Sequence, residues 1–199
     1  MSGLAALVLA GGQATRMGGG DKPLLALAGQ SLLQRILTRL GAETQRVAIS
    51  ANGDPARFAA FSRPVLPDGR FHGQGPLAGV LVGLDWAAAQ GCDTLLTVPG
   101  DTPFIPSGLA AALAPAPSCA ASGGRIHPLV ALWPVMVRDT LRVRLSTTGG
   151  RSVLAFSTSI GTRIVDFPLR PWDPFLNLND ADDLTAAQGI ALKVGEDTE

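Results

Sequence analysis

Arg16, Lys22 and Asp101 are the charged residues of this chain whose settings suit chemistry. Arg16 and Lys22 belong to a glycine-dense stretch, Leu9-Ala10-Gly11-Gly12-Gln13-Ala14-Thr15-Arg16-Met17-Gly18-Gly19-Gly20-Asp21-Lys22-Pro23. Glycine lets a backbone approach a ligand closely and turn its N–H groups toward an anion. A guanidinium and an ammonium add two full positive charges, so the stretch suits a polyphosphate. A solvated turn is the plain alternative. Against it, only Lys22 and Lys193 among 16 basic residues are lysines. A lysine inside the loop supplies a compact point charge that arginine does not. Asp101 lies in Gly100-Asp101-Thr102-Pro103-Phe104. Its carboxylate is a hard oxygen ligand of the kind that holds Mg²⁺ jointly with phosphates, or else a cap for the following turn.

Several familiar chemistries are missing from the sequence. The glycines do not fall in Gly-x-Gly-x-x-Gly register, and Gly20-Asp21-Lys22-Pro23 is not a P-loop ending. There is no Gly-x-Ser-x-Gly and no His-Glu-x-x-His. His72 and His127 have neither a nucleophile nor a carboxylate at a diagnostic spacing. Without a nucleophile motif, direct displacement fits best: a phosphate oxygen of an acceptor attacks the α-phosphorus of a nucleoside triphosphate, and pyrophosphate leaves. The protein then supplies position and charge neutralisation. Arg16 and Lys22 would stabilise the triphosphate and the leaving pyrophosphate, and Asp101 would hold Mg²⁺. Asn52 and Asp68 suit hydrogen bonds to a ribose or base, and serve equally well as turn residues.

The elements that must position these residues read as alternating strands and helices. Leu4 to Leu9 is an apolar run, hence a buried strand. Ser31 caps a helix through Leu40, with Gly41 as its stop. Arg46 to Ser50 and Pro64 to Pro67 read as strands, with a short helix from Pro55 to Phe61 between them. A helix from Pro76 to about Gln90 opens on a proline suited to its first turn. Thr94 to Val98 is the fourth strand, and Ser107 to Leu113 a short helix. Such alternation implies a parallel sheet covered on both faces, with ligands beyond the carboxyl ends of the strands. Gly11-Gly12, Asn52, Asp68 and Asp101 all fall at those ends.

The remainder is less regular. Ala114 to Pro117 reads as a linker, Leu129 to Trp133 as a strand, and Val135 to Leu145 as a helix. Thr147 to Arg151 reads as a loop and Arg163 to Phe167 as a strand. Phe175 to Asn179 ends a short strand, a last helix starts at Asp180, and the tail beyond Leu192 frays.

The chain has 199 residues and formal net charge zero, enough for one large domain and no general attraction to nucleic acid or an anionic membrane. The nucleotide-binding half spans about 1–113 and the acceptor-binding half about 114–192. Cys92 and Cys119 lack metal-ligand spacing and read as buried, inert thiols. No targeting segment or long apolar run appears, so a soluble cytoplasmic protein is expected.

The motifs together resemble those of the nucleotidyltransferase superfamily, and more narrowly the MobA-like molybdenum cofactor guanylyltransferases. The matching pieces are Leu9-Ala10-Gly11-Gly12 with Arg16-Met17-Gly18 and Lys22, then Gly75-Pro76-Leu77-Ala78-Gly79, Gly100-Asp101-Thr102-Pro103-Phe104, and Asn177-Leu178-Asn179 before Asp183-Leu184. They run through nearly the whole chain in the family's order. The resemblance implies a Rossmann-like three-layer αβα sandwich with a mostly parallel sheet. It implies transfer of GMP from GTP to the terminal phosphate of molybdopterin, with Mg²⁺, giving molybdenum-guanine dinucleotide cofactor and pyrophosphate. Residues matching Leu9, Ala10, Gly11, Lys22, Asp68 and Asp101 bind GTP, with Asp101 on the metal. Arg16, Gly12, Gly79, Asn177 and Asn179 belong to the same site, and Ser50 and Asn52 stand where the family often has Asn-x-Asn. The loops around Arg125-Ile126-His127 and Gly149-Gly150-Arg151 are candidates for the pterin. A cofactor-inserting protein and a recipient molybdoenzyme are the expected partners. The competing readings are a cytidylyltransferase for the same pterin, a sugar-phosphate nucleotidyltransferase, and a non-catalytic nucleotide-sensing cofactor chaperone.

Overall fold

In chain order the strands are β1 (Leu4–Leu9), β2 (Ala26–Leu27), β3 (Gln30–Ser31), β4 (Val47–Ser50), β5 (Val65–Leu66), β6 (Thr94–Pro99), β7 (Ser118–Ser122), β8 (Arg125–Pro134) and β9 (Arg163–Phe167). The helices are α1 (Leu32–Glu43), α2 (Pro76–Ala89), α3 (Leu109–Leu113), α4 (Arg138–Thr147), α5 (Val153–Ser159) and α6 (Ala181–Glu196). This computed structural model describes residues 3–11, 21–147 and 151–196. Gly12 and Arg16, both expected at the site, and Gly149-Gly150 lie outside the described residues.

Seven strands form one sheet in the order β5-β4-β1-β6-β8-β7-β9, and β2 and β3 form a separate small hairpin. All neighbours in β5-β4-β1-β6 are parallel, β8 runs against both β6 and β7, and β9 is parallel to β7. The fold is thus the expected mostly parallel, three-layer α/β sandwich. Strand β1 shows why. Its Ala6 and Val8 pack with Leu33, Ile36 and Leu40 of α1, while Ala5 and Leu7 pack with Leu77, Val80 and Leu84 of α2. A central parallel strand is covered on both faces, so it reads as continuously apolar. Leu7 is fully buried, and Leu7→Ala at such a site costs about 2–5 kcal/mol.

Glycine sets the spacing of α2 above the sheet. A Cβ on Gly79 would lie 2.6 Å from Ser50 Oγ and 2.9 Å from Leu9 Cδ2, and one on Gly83 would lie 2.5 Å from Leu7 Cδ2. The helix therefore sits closer to β1 and β4 than any side chain permits at these positions.

The sequence reading differs from the structure in several places. Helix α1 runs through Gly41 to Glu43, whose carboxylate accepts the N–H groups of Leu109 and Ala110 at the start of α3 (2.6 and 3.2 Å). A tertiary contact carries the helix past its local stop signal. Strand β7 and helix α5 were not legible: β7 is Ser-Cys-Ala-Ala-Ser, and α5 is a single short segment capped by Ser152. The residues from Phe175 to Asn179 do not form a strand. The last helix continues beyond Leu192 to Glu196. Pro55 to Phe61 is a 3₁₀ helix, and Ser31 caps α1 as expected, accepting from Gln34 N at 3.1 Å. Both cysteines are buried and free, and burial pushes the Cys119 thiol up from its ordinary pKa. No described helix is long and apolar enough to cross a membrane.

Candidate functional site

The chain leaves β1 on one side of the sheet to build β4 and β5, then returns to place β6 on the other side. Such a reversal opens a crevice between the carboxyl ends of the two strands. The loops Ala10-Gly11 and Gly100-Asp101 leave β1 and β6 at this point, tied by a Gly100 N to Leu9 O hydrogen bond of 2.9 Å. Gly100 has no room for a side chain there, since its Cβ would lie 2.7 Å from Pro23 Cγ and 3.2 Å from Leu9 O.

A cleft of about 510 Å³ opens along the same edge. Leu9, Gly11, Ser50, Asn52, Asp68 and Gly79 are among its lining residues. In its wall Asn52 and Asp68 clasp each other. Asn52 Nδ2 donates to Asp68 Oδ2 at 2.7 Å, and Asp68 N donates to Asn52 Oδ1 at 2.9 Å. This fixes the amide orientation of Asn52 and leaves Asp68 Oδ1 without a protein partner among the described residues. Asp68 is nevertheless only 9% exposed. A nearly buried carboxylate with one oxygen to spare suits a ligand that brings N–H donors. Arg57, unremarked in the sequence, holds the Asn52 carbonyl and pairs with Asp21 beside Lys22. Gly79 lines the cleft, but its missing side chain is equally required by the packing of α2 on Ser50 and Leu9.

The second cluster is charged. Lys22 lies in a 3₁₀ turn with its side chain only 12% exposed. Its Nζ is 2.7 Å from Asp101 Oδ2 and 2.9 Å from Asn179 Oδ1. Thr102 Oγ1 donates to Asn177 Oδ1 at 3.0 Å. Leu178 N donates to the Asp101 carbonyl at 3.1 Å, and Asn179 N to Asp183 Oδ2 at 2.7 Å. Residues 79 and 157 positions apart from Lys22 thus meet at one ammonium. No group of three or more His, Cys, Asp or Glu residues gathers for a metal among the described residues. One carboxylate beside amide oxygens is instead the donor set of a hard cation shared with phosphates, and Asp101 Oδ2 already holds a cationic partner.

Among the pterin candidates, Arg151 comes beside the cleft mouth, its Cβ 3.9 Å from where a Gly75 Cβ would stand. Arg125 is exposed. His127 is buried and engaged within the protein: its Nε2 is 2.9 Å from Ser122 Oγ, and its ring centroid is 5.2 Å from that of Phe175. Ser122 and Asp173 were missed in the sequence and carried no signal there, while Thr102 and Asp183 stood only as motif neighbours of Asp101 and Asn179, with no role of their own.

Residues 6–162 match the MobA-like NTP transferase domain. A molybdenum cofactor guanylyltransferase of Acidiphilium cryptum (strain JF-5) is 52% identical over 187 residues, spanning 94% of this chain and 95% of its own. A protein of the same name from Rhodopseudomonas palustris (strain BisB5) is 47% identical, spanning 94% of each chain. Among solved structures, the molybdopterin-guanine dinucleotide biosynthesis protein A of Archaeoglobus fulgidus superposes with a TM-score of 0.70 at 22% identity, covering 95% of this chain and 99% of its own. At that identity the likeness bears on the fold. The sheet edge and the relatives lead to one conclusion: the chain is a nucleotidyltransferase belonging to the MobA-like NTP transferase family.

Proposed function

We propose that this protein transfers GMP from GTP to the terminal phosphate of molybdopterin, forming molybdenum-guanine dinucleotide cofactor and releasing pyrophosphate. The observation that carries the reading is the placement of the Lys22–Asp101 pair, 2.7 Å apart, at the β1/β6 crevice beside the cleft lined by Asp68. An acceptor phosphate oxygen forms the new bond to the α-phosphorus of GTP, and the bond from that phosphorus to the β-phosphate's bridging oxygen breaks. Lys22, with Arg16, neutralises charge on the triphosphate and on the departing pyrophosphate. Asp101 would hold Mg²⁺, which supplies Lewis-acid neutralisation of the phosphates when bound. Asn177 and Asn179, held by Thr102 and Lys22, would present amides to the acceptor, and Arg151, beside Gly75 of the cleft, would offer an anionic acceptor a cation. Ala10 and Gly11, with Gly12, give the backbone wall against the nucleotide.

Base choice falls to Asp68. Guanine offers donors at N1 and N2 to one carboxylate, whereas cytosine has acceptors at the corresponding edge. A mismatch leaves buried polar groups unpaired at about 1–3 kcal/mol each. The reaction belongs in the cytoplasm, ahead of a cofactor-inserting protein and a recipient molybdoenzyme. Turnover on molybdopterin with equal GTP and CTP tests the reading. We expect at least about thirtyfold more guanylyl product, the equivalent of two such contacts. Equal or greater cytidylyl product overturns the guanylyl assignment and supports a cytidylyltransferase. No transfer of either nucleotide, with GTP still bound, supports a sensor or chaperone.

A further inference from the structure

Ser122 and His127 are both buried, 1% and 7% exposed, and nothing in nucleotide transfer uses them. They stand on β7 and β8 and form a row with Asp173. Ser122 Oγ donates to Asp173 Oδ1 at 2.8 Å. A hydroxyl has one proton, so its 2.9 Å contact with His127 Nε2 is accepted from the ring N–H. Phe175 N donates to the same Asp173 Oδ1 at 2.9 Å, and the Phe175 ring packs between His127 and Phe167 (centroids 5.2 and 5.0 Å). The order is wrong for a nucleophilic triad, because the serine sits between the histidine and the acid and gives its proton to the acid.

What the row does hold is the chain that follows. Residues 168–180 contain neither helix nor strand. Their only described backbone–backbone bonds are Leu176 N to Asp173 O at 3.3 Å, Leu178 N to Asp101 O at 3.1 Å and, where α6 begins, Leu184 N to Asp180 O at 3.1 Å. Yet this stretch delivers Asn177 to Thr102 and Asn179 to Lys22. We infer that Ser122, His127 and Asp173 are positioning residues, fastening the 173–179 strap so that Asn177 and Asn179 meet the acceptor beside Lys22. A strap without ladder hydrogen bonds depends on side-chain anchors at both ends for the precision of what it carries. One end is fixed at Asp101; the row fixes the other. The acceptor's part in this rests on the function proposed above, while the fastening itself does not.

Hydrogen exchange and steady-state kinetics on the full chain test the two statements separately. Asp173→Ala should speed exchange at residues 175–178 by about tenfold, the size of one net hydrogen bond, with β1 and β6 unchanged. Asp173→Asn keeps an oxygen that accepts the same two bonds and should restore wild-type exchange. In turnover, Asp173→Ala should raise KM for molybdopterin by about tenfold or more, while the Kd for GTP stays within about twofold. If Asp173→Ala does not fold, Ser122→Ala serves, since it removes only the bridging hydroxyl. Unchanged exchange at 175–178 in both alanine variants overturns the fastening. Exchange that responds while molybdopterin KM holds, or rises together with GTP Kd, overturns the positioning role. A wild-type protein that moves no GMP to molybdopterin overturns the proposed function, and the exchange data then decide the fastening alone.

Discussion

On the β5-β4-β1-β6 side of the sheet, Gly11, Asn52, Asp68 and Asp101 each stand two residues beyond the end of a parallel strand. On the β8-β7-β9 side, Asn177 and Asn179 stand on no element at all. The first arrangement is self-positioning. Strands in register place their next residues side by side, and the ladder that orders the core also orders the site. The second is assembled by side chains: Ser122 and His127 at one end, Thr102 and Lys22 at the other. A site edge built on strand ends is rigid because its backbone is paired; an edge built on a strap is only as rigid as its anchors. The two designs join at Lys22, whose ammonium donates to Asp101 on one side and to Asn179 on the other.

The largest expected effect breaks the strand-end half. Asp101→Asn preserves shape and removes the charge that pairs with Lys22. Turnover should fall at least about a hundredfold with the fold retained, the scale of one strong electrostatic contact. Stopped assays across a Mg²⁺ titration check it; near-normal turnover with unchanged Mg²⁺ dependence removes Asp101 from the chemistry.

Gly79→Ala sharpens the comparison by separating ligand contact from packing. The added Cβ would stand 2.6 Å from Ser50 Oγ, so α2 must shift or strain. We expect a loss of about 1–3 kcal/mol in a urea melt, accompanied by weaker GTP binding because the cleft wall moves. A stable variant with weak GTP binding would make Gly79 a contact residue alone.

The smallest effect belongs to the strap half and appears only in acid. Burial lowers the His127 pKa below its ordinary value of 6.5, an effect that Asp173 opposes and Arg125 assists. The unfolded chain therefore takes up this proton at a higher pH than the folded one. The stability contribution is full above about pH 6.5, declines as pH falls below that value, and levels off once the folded histidine also protonates. Urea midpoints of wild type and His127→Gln, compared between pH 7.5 and 5, should converge toward acid. A constant difference across that range would show that His127 contributes packing and no proton linkage.

Much of this could be read in the chain itself because it is local physics. Continuous apolar runs such as Leu4 to Leu9 require a strand covered on both faces, and alternation with amphipathic helices requires a parallel sheet. Glycines and polar residues directly after those strands then fall on one edge, whatever the details of packing. Sequence therefore determined the α/β class and the strand-end placement of Gly11, Asn52, Asp68 and Asp101. Tertiary structure alone decided the rest. Ser118 to Ser122 lacks the bulk and alternation of a strand and becomes one only because β8 and β9 offer pairing partners. His127 and Asp173 are 46 positions apart (173 − 127) and are joined through a serine that has no motif. The sequence also does not say that Lys22 is enclosed by Asp101 and Asn179, which come from distant parts of the chain. Contacts between residues so distant in sequence depend on loop closure and on the packing of the whole sheet, and no local propensity encodes them.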